Sequence, residues 1–163
     1  MKSKVLIPVD TARNSLTAEE YAIRLNWRLP LQVTLLNVLN TTRLEQHGIS
    51  PDDQGRIKSA MRKRAEGVLA EAAEAFQKAD VEYETMIEEG APAAVICRVA
   101  AEGGYEMVIL PQSGYSELEE ILGGSVVHNV LWKCSTPVLL VKHSAERLED
   151  QRKKLAEGEL LPR

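Results

Sequence analysis

Short apolar runs alternate with amphipathic stretches along this chain, and the alternation outlines its elements. Val5-Leu6-Ile7-Pro8-Val9 is continuously apolar, as expected of a parallel strand covered on both faces, and it stops at Asp10. Asn14-Ser15 offers a helix cap, after which Ala18, Tyr21, Ala22 and Leu25 recur at helical spacing until Pro30. Val33 to Val38 predicts a second strand, and residues 40–50 show no clear period, which predicts a mobile loop or short lid. Ser50-Pro51 is a strong helix start. Ile57, Met61, Ala65, Val68, Leu69, Ala72 and Phe76 then mark one apolar face as far as about Ala79.

The second half repeats the scheme. Val81 to Glu88 alternates apolar and acidic positions, which suits a strand with one wet face at the outside of a sheet. Gly90-Ala91-Pro92 turns into a third helix through Val95, Ile96, Val99 and Ala100, closed by Gly103-Gly104. Met107 to Leu110 predicts a buried fourth strand, Ser125 opens a fourth helix through Val126, Val130 and Leu131, and Pro137 to Val141 predicts a fifth strand. Five strands alternating with four helices predict an α/β fold, a five-stranded parallel sheet with helices on both faces. The commonest topology has one reversal of order beside the first strand, and with the first and fourth strands flanking it the expected strand order is 3-2-1-4-5. Ligands of such sheets sit at the carboxyl ends of the strands flanking the reversal of order. Pro8-Val9-Asp10 would line one side of that place and Leu110 to Gly114 the other.

Composition narrows the partners. A chain of 163 residues fits one domain, here expected over 1–143, followed by a tail at 144–163 whose mixed charges predict a frayed helix or disorder. The net charge of −4 supplies no field for nucleic acid or anionic lipid, so neither is an expected partner. No apolar run reaches the length of a membrane span, and the amino terminus enters a strand directly instead of forming a signal peptide. Cys97 and Cys134 lack any metal-like spacing and lie on apolar helical segments; they read as buried reduced thiols, and with them the protein reads as cytoplasmic.

Candidate chemistry concentrates at the predicted switch point. Asp10 ends an apolar strand, where a carboxylate either caps the following segment or accepts hydrogen bonds from a bound sugar or base. Gly123-Gly124-Ser125 is either a turn with a helix cap or an anion cradle, since glycines allow close backbone approach and a helix amino end carries partial positive charge. Ser116 and Glu119 resemble a capping box. His128 is three residues beyond Ser125, within reach of a phosphate or simply on a helix surface, while His47 and His143 have no partner at useful spacing. No nucleophile stands beside a histidine and an acid, and the Gly-Lys-Ser/Thr phosphate loop is missing; neither catalytic nor metal-binding residues are assigned.

The segments VLIPVD, GAPAAVICRVA, LPQSGYSELEEILGGSV and CSTPVLLV together resemble the universal stress protein family from Lys4 to Lys142. Nucleotide-binding members carry Gly, two residues, Gly, nine residues, then Gly and Ser or Thr. Gly114, the nine residues Tyr115 to Gly123, and Gly124-Ser125 match the second and third parts, whereas Pro111 stands at the first glycine and Thr11-Ala12 replaces the usual Gly-Ser. The resemblance implies a Rossmann-like fold of the adenine nucleotide alpha hydrolase type. It also implies ATP or AMP, with or without Mg²⁺, lying across the switch point. Pro8, Val9 and Asp10 would be near base and ribose, Val38 against the base, Leu110 and Pro111 beside the sugar, and Gly114, Gly124, Ser125 and Val126 around the phosphates. It further implies a homodimer through the last strand, Pro137 to Val141. The expected function is that of a stress-related nucleotide-binding regulatory module, with a nucleotide-free dimeric interaction protein and a slow ATP hydrolase as alternatives.

Overall fold

The amino-terminal apolar run forms the central strand, β1 (Ser3–Pro8), in the computed structural model, which describes residues 1–10, 12–42, 44, 48–112 and 126–142. It is followed by α1 (Ala12–Asn26), β2 (Leu31–Leu39), α2 (Pro51–Lys78), β3 (Tyr83–Glu89), α3 (Pro92–Glu102), β4 (Met107–Pro111), α4 (Val126–Lys133) and β5 (Val138–Val141). All four strand pairings are parallel and the order is β3-β2-β1-β4-β5, as the alternation of elements predicts. The alternating third run is an edge strand.

Successive side chains of a strand point to opposite faces, so an apolar run needs a cover on each side. Val5, Ile7 and Val9 join Val33, Leu35 and Ile109 beneath Ala18 and Ala22 of α1 and Leu69, Ala72 and Phe76 of α2. Leu6, Leu36, Val108 and Leu110 face the other way, under Ile96 and Val99 of α3 and Val130 of α4. A chain of hydrogen bonds ties the second layer to the sheet: buried Tyr105 Oη donates to Thr34 Oγ1 at 2.9 Å, and Thr34 Oγ1 donates to Oε1 of the exposed Glu84 at 2.7 Å.

The start of α2 follows its sequence signal, with Asp53 N–H donating to Ser50 Oγ at 3.2 Å and a proline in the first turn. Its apolar face is only half used. Ile57 is exposed, and burial begins at Ala65. A helix of 28 residues is about 42 Å long, whereas the nine residues of β2 extend only about 30 Å, so the amino end of α2 overhangs the sheet.

Several expectations need correction. Helix α1 begins at Ala12, so Asn14 and Ser15 lie within its first turn and do not cap it. Thr41 and Leu44 are buried, so the segment expected as a loop is anchored there. Pro111 is the last residue of β4, paired with Val141, where the sequence suggests a strand ending at Leu110. The expected reduced thiols are a disulfide: α3 and α4 pack side by side, which brings Cys97 and Cys134 to a Cα–Cα distance of 4.8 Å, and both are half-buried, not core residues. Among the described residues no helix is long and apolar enough to cross a membrane.

Candidate functional site

The carboxyl ends of β1 and β4 part company early. β1 matches β2 over six residue pairs, from Ser3–Leu31 to Pro8–Leu36, but matches β4 only at Val5–Met107 and Leu6–Val108. Beyond Leu6 and Val108 the two strands are no longer paired, which leaves a gap in the ladder between Pro8-Val9-Asp10 and Leu110-Pro111-Gln112. This is the reversal point of the strand order, the place where open parallel sheets hold ligands. Crossover helices run back against their strands, so the amino ends of α1, α3 and α4 all lie toward this edge and bring partial positive charge to it.

Each expected residue has a definite place. Pro8 is half-buried at the end of β1, and Asp10, beyond it, is exposed. Val9 is 2% exposed and packs in the core beneath α1 and α2, and both its backbone groups are engaged: its N–H donates to Leu36 O at 2.8 Å, and its carbonyl accepts from Asn37 Nδ2 at 2.7 Å. Val38 is half-buried on β2, on the same face as Leu110, which is buried. Val126 opens α4 and is exposed. Gly114, Gly124 and Ser125 lie outside the described residues, as do Ser116, Glu119, His47, His143 and the tail at 144–163.

Pro111 occupies a position where its missing N–H costs the sheet nothing. Val108 N–H donates to Pro137 O at 2.8 Å and Gln112 N–H to Val141 O at 2.7 Å, so alternate residues of β4 donate toward β5. The intervening nitrogen of Pro111 faces the β1 side, after the β1–β4 pairing has stopped. A glycine there would present a donor to the opening. Proline withholds it.

Asn37 is a residue the sequence did not single out. It is buried, and its amide fixes the Val9 carbonyl and thereby the direction in which β1 delivers Asp10. A polar side chain inside an apolar run was the available signal, because a buried amide must find a partner. The neighbouring turn is equally fixed: Gly90 has φ 134° and donates to Leu39 O at 3.0 Å, and a Cβ there would come within 3.0 Å of Val95 Cγ2. A separate open groove of about 420 Å³ runs between α2 (Glu66, Leu69, Ala73) and β3 (Tyr83, Thr85, Ile87), at the far edge of the sheet from the opening.

Known proteins share this fold. The chain is 28% identical over 148 residues to universal stress protein YxiE of Bacillus subtilis, a match covering 87% of this chain and all of that protein. It is 23% identical to universal stress protein MJ0577 of Methanocaldococcus jannaschii over 87% of this chain and 96% of that one. The solved structure of MJ0577 superposes with a TM-score of 0.74 at 24% identity, covering 88% of this chain and 98% of that one. A universal stress protein in complex with cAMP superposes at 0.63 (20% identity; 88% and 98% covered), and one from Archaeoglobus fulgidus in complex with dAMP at 0.60 (18% identity; 86% and 98% covered). With the universal stress protein family model matching residues 1–142, from β1 through β5, the chain belongs to the universal stress protein family.

Proposed function

We propose that this chain is a stress-related regulatory module that binds an adenine nucleotide, ATP or AMP with or without Mg²⁺, in the opening between β1 and β4. The observation that carries the reading is the early end of the β1–β4 pairing, which leaves the half-buried Pro111 and the exposed Asp10 at the carboxyl edge of the sheet, the edge on which the crossover helices begin. Fold relatives in complex with cAMP and dAMP support the ligand class. In this reading Asp10 accepts from ribose, Val38 packs against the base, and Gly114, Gly124 and Ser125 meet the phosphates. Turnover is not part of it, and the reading assigns no residue as a base to activate a water. The same reading has the module at 1–143, acting in the cytoplasm, with 144–163 as an appended tail.

A homodimer through β5 belongs to the proposal as well. β5 is the outermost strand beside β4, and an uncovered apolar edge invites pairing. Trp132, on the helix leading into it, is 78% exposed. The alternative of a nucleotide-free dimeric interaction protein draws on the same surface and on the donor that Pro111 withholds.

Mass spectrometry of ligand released from freshly purified protein, followed by calorimetric titration with ATP, AMP and cAMP in magnesium buffer, separates the readings. Co-purified adenine nucleotide, or saturable heat with one nucleotide per chain, is expected. Neither ligand nor heat at near-millimolar nucleotide, from a chain that sediments as a dimer, would leave the interaction protein as the correct reading. Phosphate release above background would instead establish hydrolysis.

A further inference from the structure

We infer that Cys97 and Cys134 are a reversible thiol–disulfide site whose oxidation fastens α4 to α3. The two residues are 37 apart in sequence, and their Cα atoms are 4.8 Å apart, within the span a disulfide bridges without backbone movement. They are the two cysteines of the whole chain, so no other intramolecular pairing competes. Neither belongs to the nucleotide opening. Both are half-buried, flanking the second core layer instead of sealed within it, so a small reagent has access to them.

The consequence of the bond follows from the shallow burial of α4. The helix has eight residues, and Val130 alone among them is buried; Leu131 and Trp132 are exposed. Cys134 stands immediately after its last turn, with its N–H donating to Val130 O at 3.0 Å. Cys97 lies in the middle of α3, whose Val95, Ile96, Val99 and Ala100 are all buried. The bond therefore joins the carboxyl end of a helix with a single buried residue to the middle of one with four. Segments with few buried contacts open locally at low free energy, and a covalent tie to the neighbouring helix suppresses that opening.

The oxidant is a low-molecular-weight disulfide. One cysteine loses its proton and its thiolate attacks a sulfur of the oxidant, whose S–S bond breaks and releases one small thiolate. The second cysteine thiolate then attacks the protein sulfur of the mixed disulfide, forming the Cys97–Cys134 bond and expelling the second small thiol. Two cysteine thiols are oxidised, one disulfide is reduced to two thiols, and the cysteine protons end on those thiols. A dithiol reverses the sequence.

The test uses the full chain and needs no nucleotide. Protein equilibrated with reduced or oxidised glutathione is alkylated with N-ethylmaleimide after acid quenching, weighed intact, and compared by amide hydrogen exchange. The reduced chain is expected to take two adducts and the oxidised chain none, with a peptide joining Cys97 to Cys134. Exchange across 126–133 should slow on the order of tenfold on oxidation while β2 is unchanged. Cys134→Ser should exchange like the reduced chain under both conditions, and Cys97→Ser serves the same purpose if the first variant does not fold. A stable glutathione adduct, a disulfide-linked dimer, a bond that dithiothreitol reaches only in denaturant, or equal exchange of α4 in both forms would overturn the inference.

Discussion

The two neighbours of β1 treat it differently. Toward β2 the pairing is continuous to Pro8, and past it Val9 keeps both backbone groups occupied, one by Leu36 and one by the Asn37 amide. Toward β4 the pairing stops two residues sooner, and the next nitrogen facing the gap belongs to Pro111. One side of the strand is thus a ladder and the other a ladder followed by an opening. Where hydrogen bonds between strands stop on a buried sheet, the freed backbone groups need another partner, and that need makes the edge a binding place. In the proposed reading the closed side supplies rigidity and the open side receives the ligand. The amino ends of the same strands show no such contrast: Ser3 N–H donates to Pro30 O and Glu106 N–H to Lys4 O, both at 2.8 Å.

Four substitutions test this contrast. Leu35→Ala removes a fully buried side chain from β2 on the closed side and should cost about 2–5 kcal/mol in denaturant titration, with the folded fraction binding nucleotide as before. Asn37→Ala leaves the Val9 carbonyl buried without its donor and should cost about 1–3 kcal/mol; because it loosens the end of β1, nucleotide affinity should fall too, which calorimetry would register. On the open side Pro111→Gly restores an N–H toward the gap. It should tighten nucleotide binding by up to about 1 kcal/mol, or about fivefold, while leaving stability within about 1 kcal/mol. A marked loss of affinity in that variant would mean that the proline ring itself contacts the ligand. The smallest effect is expected at the amino end, where the half-exposed Lys2–Glu82 ion pair contributes at most about 1 kcal/mol. Lys2→Ala should lower stability by no more than that in dilute buffer, by less in high salt, and leave the ligand unaffected.

Much of the contrast was legible before any coordinates. Apolar runs of four to six residues separated by helical periods led to the strand order, and the residues ending β1 and β4 followed from the reversal point. Details that depend on packing did not. Asn14 and Ser15 have good capping side chains, yet α1 begins at Ala12, ahead of both. The apolar stripe of α2 is continuous in sequence, but the sheet beneath it is shorter than the helix, so Ile57 has nothing to cover. Cys97 and Cys134 carry no spacing signal. Their proximity is a product of α3 and α4 lying side by side. Asn37 read as one polar residue in a strand, and only its register against Val9 reveals that it positions the end of β1.

The most direct measurement is backbone amide mapping by nuclear magnetic resonance during titration with AMP. Binding in the opening predicts shifts at Val9, Asp10, Val38, Leu110, Gln112 and Val126, with little change at Ser3, Leu31 or Glu106 at the opposite end of the same strands. Shifts centred instead on Glu66, Ala73 and Thr85, in the groove between α2 and β3, would place the ligand elsewhere and contradict the account.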